Sequence, residues 1–304
     1  MKPYVLILFL TMALAARSAA YPIDPRPLRK LIIESEYILI GHVQEVYNQK
    51  KKKKDPFSYA VARIEVREVL KGSVKSLTVE VAFEPNMVCP APARYIPGTE
   101  VIVFLDMGDN GMFRTHALSY GARAATLPDV AVFRDRIREM QQILTIIDTD
   151  QQFLETTEWL VRCAEHEATR WDGVYELTPE SDFMSYYAQS ERQPFKYMLT
   201  YEQKQRLKDA LLATTVAGYS DFGLVDLVYL GNEEVVSRYL LEGLKKLPKD
   251  QLWYAGEYMK RLNYARNSQQ LDTLITSFEE KQYALDRDDE LKTIVQEFIA
   301  LVDH

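Results

Sequence analysis

Four stretches between Tyr37 and Leu105 carry β-forming patterns that admit few folds: YILIGHVQEVY (37–47), YAVARIEVREVL (59–70), SLTVEVAF (76–83) and EVIVFL (100–105). In SLTVEVAF, Leu77, Val79, Val81 and Phe83 fall on one side and Thr78, Glu80 and Ala82 on the other, the pattern of a half-buried antiparallel strand. In 59–70, Ala60, Ala62, Ile64, Val66 and Leu70 are apolar against the charged Arg63, Glu65 and Arg67. The first run loses its period of two near Gly41, since Val43 and Val46 stand three apart. A glycine at such a break predicts a β-bulge, which curls a sheet. VIVFL is apolar throughout, so that strand is expected to be covered on both faces. A fifth short strand is expected over 112–118, after the turn Gly108-Asp109-Asn110-Gly111.

Five short strands, with Lys71-Gly72 and Pro97-Gly98 as turns, predict a five-stranded Greek-key barrel of the OB type. The alternative, a β-sandwich, usually needs about seven strands. The opening strand Ser35 to Val43, the closing Val69-Leu70-Lys71-Gly72, and Cys89 followed by Pro97-Gly98 and the apolar strand to Leu105 together resemble the netrin-like fold. Its best-known members are the tissue inhibitors of metalloproteinases. The resemblance spans about residues 28–120 and implies an OB-type barrel. In those inhibitors a cysteine opens the mature chain and chelates the protease zinc. Here the expected mature start is Tyr21-Pro22, and the family's disulfide set is absent, so the resemblance implies the fold without that chemistry.

Residues 1–20 read as a secretory signal peptide: Lys2, an apolar core from Val5 to Ala16, and Ser18-Ala19-Ala20 for cleavage after Ala20. The apolar run falls short of the roughly 20 residues that span a bilayer, and no later stretch qualifies. The expected product is a secreted or periplasmic protein with no integral membrane segment. Its net charge, −7 for the whole chain, becomes more negative on losing Lys2 and Arg17. An acidic total opposes general nucleic-acid binding. Two cysteines, Cys89 and Cys163, leave two readings: a bridge clamping two domains, or two separate thiols at least partly buried.

From Pro128 the period changes. Val130, Phe133, Ile137, Met140, Leu144 and Ile147 form one helical face, and this helix is expected to close the barrel. The expected domains are therefore a barrel with its closing helix over 21–147 and an all-α domain over 148–304. A helix is expected to begin after Asp148 or Asp150, and a turn-rich segment, RWDGVYELTPESD (170–182), to interrupt the pattern. Thr200-Tyr201-Glu202-Gln203 reads as a capping box opening a helix to about Val216. Further helices are expected near 221–230, 233–246, 250–265, 269–282 and 287–302. They could form a plain bundle or a short HEAT-like solenoid. The fold class is α+β.

The candidate sites are few. Lys50, Lys51, Lys52, Lys53 and Lys54 form a run between the first two strands. It is either a solvated loop that guards a barrel edge or an anion-binding finger for lipopolysaccharide, a glycan sulfate or nucleic acid. Arg170, Trp171 and Tyr175 are either an interaction surface or residues plugging a core. Glu165-His166-Glu167 has only one of the two histidines of a metalloprotease helix and reads as an exposed helix end. His42 and His116, each on a strand, are candidates for a metal or acid–base role, but no partner carboxylate is in view for them. Asp286 to Glu290, with Glu297, has the acidic spacing of a calcium loop but Leu291 where glycine is needed, and fits an acidic first helical turn better. No phosphate loop, nucleophile elbow or paired-cysteine motif is present, so no catalytic residue, cofactor or metal is assigned. The expectation is an exported, non-catalytic binding protein with a protein or anionic polymer as partner. The alternatives are a netrin-like protease inhibitor of altered mechanism and a hydrolase with an inter-domain site.

Overall fold

The computed structural model describes residues 24–48, 59–87, 91–109, 111–178, 195–229, 233–264, 266–284 and 287–303. They fall into two compact units, one up to Gln141 and one from Gln142 onward. Residues 1–20, expected to be a signal peptide, the lysine run and Cys89 lie outside the described residues.

The first unit is a closed barrel. Its strands are β1 (Tyr37–Asn48), β2 (Ala60–Lys71), β3 (Thr78–Phe83), β4 (Glu100–Met107) and β5 (Phe113–Thr115). They join in the order β1-β2-β3-β5-β4, and β4 returns to β1. Every pairing in this ring is antiparallel except β3 with β5. This is the five-stranded OB-type order expected of the sequence. A sixth strand, β6 (Ala122–Ala125), pairs antiparallel with β4 over Glu100 to Val103, the stretch that β5 leaves uncovered. Its sequence, ARAA, holds no β-branched or aromatic residue, so propensity does not reveal it.

Inward residues fill the barrel. Leu39, Val43, Ala60, Ala62, Ile64, Val79, Val81, Val101, Val103 and Leu105 are all buried there. On β4, all five residues from Val101 to Leu105 are buried, as two covered faces require. Leu77 departs from the expected stripe: it precedes β3 and is 82% exposed. The fifth strand also ends early, because Ala117 and Leu118 turn into the left-handed region. Helix α1 (Leu28–Glu34), too short to show a period in sequence, packs Leu28, Leu31 and Ile32 inward. The Lys71 ammonium closes it by donating to the Ile32 and Ile33 carbonyls at 2.8 and 3.1 Å. Helix α2 (Leu127–Ile143) lies against the end of β2: Arg134 and Arg138 both reach Glu68 at 2.6 Å, and the Gln141 amide donates to the Leu70 carbonyl.

The bulge falls at the expected glycine. The β1–β2 register shifts between Ile40 and Gly41. A Cβ at Gly41 would stand 2.5 Å from both the Glu65 carbonyl oxygen and Ile64 Cγ2. Gly41→Ala is therefore expected to destabilise the barrel by about 1–3 kcal/mol. The check is the far-UV circular dichroism transition that tryptophan fluorescence does not follow; an unmoved transition would show that the ladder accommodates a side chain there.

The second unit is helical: α3 (Thr149–Glu165), α4 (Arg170–Leu177), α5 (Tyr201–Leu212), α6 (Phe222–Val228), α7 (Glu234–Lys246), α8 (Ala255–Tyr264), α9 (Gln269–Lys281) and α10 (Asp288–Val302). The Asp148 side chain caps α3, and Thr200 and Gln203 cap α5 reciprocally, as their sequences indicate. The 170–177 stretch corrects an expectation: it is a helix, not a turn-rich break. The acidic stretch at 288–290 is the first turn of α10, as its sequence fits better than a calcium loop. Helix α10 contacts α7, α8 and α9.

Phe222, Tyr254 and Tyr258 form an edge-to-face cluster within the bundle. Arg261 lies 4.6 Å from the Phe222 ring centre and binds Asp226 and Glu257, each at 2.7 Å. Burial pushes the Glu257 carboxyl up, but Arg261 and Lys260 outweigh it and hold the group below its ordinary range. A depressed carboxyl contributes stability above its unfolded value, near 4.3, that is lost as pH falls through the folded value. The urea midpoint of the chain and that of Glu257→Gln, read by tryptophan fluorescence, should therefore converge as pH drops from about 5 to about 3. A gap that stays constant over that window would refute the assignment.

Candidate functional site

The parallel join of β3 and β5 is the shortest in the barrel, with Val81 opposite Phe113 and Ala82 opposite Arg114. Parallel pairing is also slightly weaker per residue than antiparallel. The barrel opens on either side of this join. Toward the start of β3 lies a groove of about 600 Å3. Its walls are β2 at Arg63, the 73–76 loop, β3 at Thr78 and Glu80, and the loop before β5 at Gly111 and Met112. OB-type barrels use this kind of surface, strands 2 and 3 with the loop before strand 5, to hold extended ligands.

A fixed polar platform borders the groove. The Tyr47 hydroxyl donates to Glu80 Oε1 at 2.9 Å. Arg63 donates to the same oxygen at 3.1 Å and also binds Glu45. The Arg63 guanidinium stands 5.7 Å from the Tyr47 ring centre, a cation–π distance. The bonds from Tyr47 and Arg63 hold the Glu80 carboxyl below its usual range. Partial burial, then the Glu80 carboxylate, pushes the Tyr47 phenol up. Glu80 is thus a charged acceptor held in place by two donors from neighbouring strands. Lys75, on the groove's rim, is exposed and makes no ion pair among the described residues.

No family model matches this chain, and no curated protein matches it.

The histidines are better furnished than the sequence suggested. His42 Nδ1 lies 3.0 Å from Glu100 Oε1, which also receives Arg67 at 3.0 Å. His116 stands between two carboxylates, with Nδ1 2.7 Å from Asp106 and Nε2 3.3 Å from Glu34. The expectation of no partner carboxylate is therefore corrected: the partners are distant in sequence, 58 residues from His42 to Glu100 and 82 from His116 to Glu34. These links tie β1 to β4 and α1 to the end of β5. No group of three or more His, Cys, Asp or Glu among the described residues is arranged to hold a metal ion. His166 is exposed at the end of α3, where Nδ1 accepts from the Ala168 amide at 3.2 Å.

Arg170, Trp171 and Tyr175 come together on α4, but mainly as interior residues. Arg170 is 6% and Tyr175 4% exposed, while Trp171 reaches solvent in part. The two rings lie 5.4 Å apart, over a void of only about 10 Å3 shared with Tyr219 and Gly223. That space is too small for a ligand. Cys163 is fully buried in α3. Arg63, Glu80 and Lys75, the groove's charges, were legible only as polar positions facing solvent.

Proposed function

We propose that this chain is an exported, non-catalytic binding protein whose OB-type barrel holds an extended protein or polymer segment along β2, β3 and the loop at Gly111 and Met112. The observation that carries this reading is the groove beside the β3–β5 join, with its platform of Tyr47, Arg63 and Glu80. A groove bordered by a fixed carboxylate, an arginine and an aromatic ring offers oriented polar contacts to a ligand that lies across strands. The hydroxyls of Ser73, Ser76 and Thr78 add adaptable donors and acceptors. Export rests on the leader-like residues 1–20. The likeness to netrin-like proteins supports the barrel pattern alone, and their zinc-directed inhibition is not part of the proposal.

Two measurements test it. Expressed with its own first 20 residues, the protein should be recovered outside the cytoplasm with Tyr21 at its N-terminus; recovery inside the cell with Met1 retained would remove export. The exported chain, immobilised, is then exposed to the native extracytoplasmic fraction beside a Lys75→Glu, Thr78→Arg variant. A partner held by the chain and lost by the variant supports the groove. One held equally by both moves recognition off this face, and empty retention by both overturns the binding reading.

A further inference from the structure

The opposite end of the β3–β5 join opens into a second, smaller cleft of about 250 Å3. Its depth is apolar. Phe83 and Ala93 form the inner wall, and Phe83 packs edge-to-face on Tyr95 with ring centres 4.9 Å apart. Thr115 adds one polar feature, since its hydroxyl shares a 2.6 Å hydrogen bond with the Tyr95 hydroxyl. The mouth is charged. Glu84 and Arg114 both line the cleft and both are exposed. Neither side chain makes an ion pair or a hydrogen bond among the described residues, and they do not pair with each other. Most of the barrel's other arginines are used internally: Arg26, Arg63, Arg67, Arg134 and Arg138 are all in ion pairs.

The outer wall is held by unusual backbone. Ala117 and Leu118 have φ values of 52° and 54°, the left-handed region that side chains other than glycine's seldom enter. The turn is locked by the Tyr120 amide donating to the Ala117 carbonyl. It is locked also by Gly121, where a Cβ would stand 1.8 Å from the His116 carbonyl oxygen. The strained pair brings the Leu118 side chain to the cleft. Sparsely populated backbone maintained by its surroundings is a recurrent mark of ligand-contacting segments.

We infer that this cleft binds a free α-amino acid with a compact apolar side chain. Drug-sized ligands occupy clefts of about 300–1,000 Å3, so this one suits a smaller molecule. The side chain enters between Phe83 and Leu118. Arg114 takes the α-carboxylate, for which its planar fork is matched, and Glu84 takes the α-ammonium. A cation and an anion that pair with nothing among the described residues, at the mouth of one apolar cleft, are complementary to a zwitterion. The inference does not depend on the groove: the two openings lie at different ends of the join.

The test is titration calorimetry of the full chain with L-phenylalanine, L-leucine, N-acetyl-L-phenylalanine, which lacks the ammonium, and L-phenylalanine amide, which lacks the carboxylate. L-Phenylalanine is expected to bind saturably. Arg114→Gln and Glu84→Gln, exposed substitutions that leave the fold intact, should each weaken it about ten- to hundredfold, the usual loss for a charged hydrogen bond. Lys75→Glu, Thr78→Arg should leave it unchanged, which separates this site from the groove. Absence of saturable binding by L-phenylalanine and L-leucine at millimolar concentration would overturn the inference. So would N-acetyl-L-phenylalanine binding as tightly as the free amino acid with no effect of Glu84→Gln, because the site would then read only a carboxylate.

Discussion

Gly173→Val is expected to cause one of the two largest losses of stability in this protein. Gly173 sits inside α4, where glycine normally costs a helix up to about 1 kcal/mol relative to alanine. Propensity alone would therefore make any replacement stabilising. Packing reverses the sign. A Cβ at Gly173 would stand 2.4 Å from the Leu160 carbonyl oxygen, 2.5 Å from the Ala164 amide nitrogen and 3.0 Å from Cys163 Cβ. Two of these atoms belong to the backbone of α3 and cannot swing away as a flexible side chain could. Helices α3 and α4 thus meet backbone to backbone at this glycine, and any side chain must push them apart. The layer disturbed includes Trp159 and Leu160, both fully buried. Overpacking of a close interior commonly costs about 1–3 kcal/mol and occasionally more. Valine is expected at or above the top of that range, and Gly173→Ala should already be destabilising. The chain supplies its own reporter: Trp159, Trp171 and Trp253 are its only tryptophans and all lie in the helical unit. Fluorescence-monitored urea unfolding follows that unit. A Gly173→Ala midpoint equal to or above that of the unmodified chain would show that propensity, not the crossing, governs the site.

The same glycine explains where the sequence misleads. In RWDGVYEL the glycine and the two flanking aromatics read as a loop, because a glycine inside a weakly periodic stretch signals a break. Its actual reason is the partner helix, which local pattern does not contain. Gly41 was legible for the opposite reason: its neighbours already showed a slipped period of two, so the bulge appeared in one strand's own sequence. Strands β2 and β3 were readable because alternation records burial directly, and β4 because an unbroken apolar run records two covered faces. The caps at Asp148 and Thr200 were readable because a cap involves residues three apart. Helix α1 and strand β6 were not, being short and held by contacts to distant strands. The candidate site was the least legible part. Arg63 and Glu80 look like ordinary outward charges until β2 and β3 pair and Tyr47 arrives from β1. The cleft beneath Glu84 and Arg114 exists only because β5 leaves β3 after two residue pairs, and no pattern within either strand announces that.

Arg170→Met should produce the other large loss, through charge and not volume. Arg170 and Asp221 form an ion pair at 2.9 Å with side chains only 8% and 9% exposed. Arg170 also donates to the Ala164 carbonyl at 3.2 Å, fastening the start of α4 to the end of α3. The other carboxylate oxygen of Asp221 accepts from the Gly218 amide at 2.7 Å and holds the turn that leads into α6. The pair therefore joins three elements of the helical unit. Methionine preserves much of the arginine's apolar stem and removes only the charged fork. What remains is a carboxylate out of water with a single amide donor. Breaking a buried pair from one side usually costs about 3–5 kcal/mol, because the surviving charge is left uncompensated. Replacing both partners is a different matter: well-packed apolar substitutes for a buried pair are often neutral or better. The double variant Arg170→Met, Asp221→Leu should therefore recover part of the loss, short of full recovery because the Gly218 amide and the Ala164 carbonyl each lose a partner. Tryptophan-monitored urea midpoints of the two single variants and the double complete the cycle. Strictly additive losses would mean that the two side chains act independently, and that the ion pair is not what joins α3, α4 and the turn before α6.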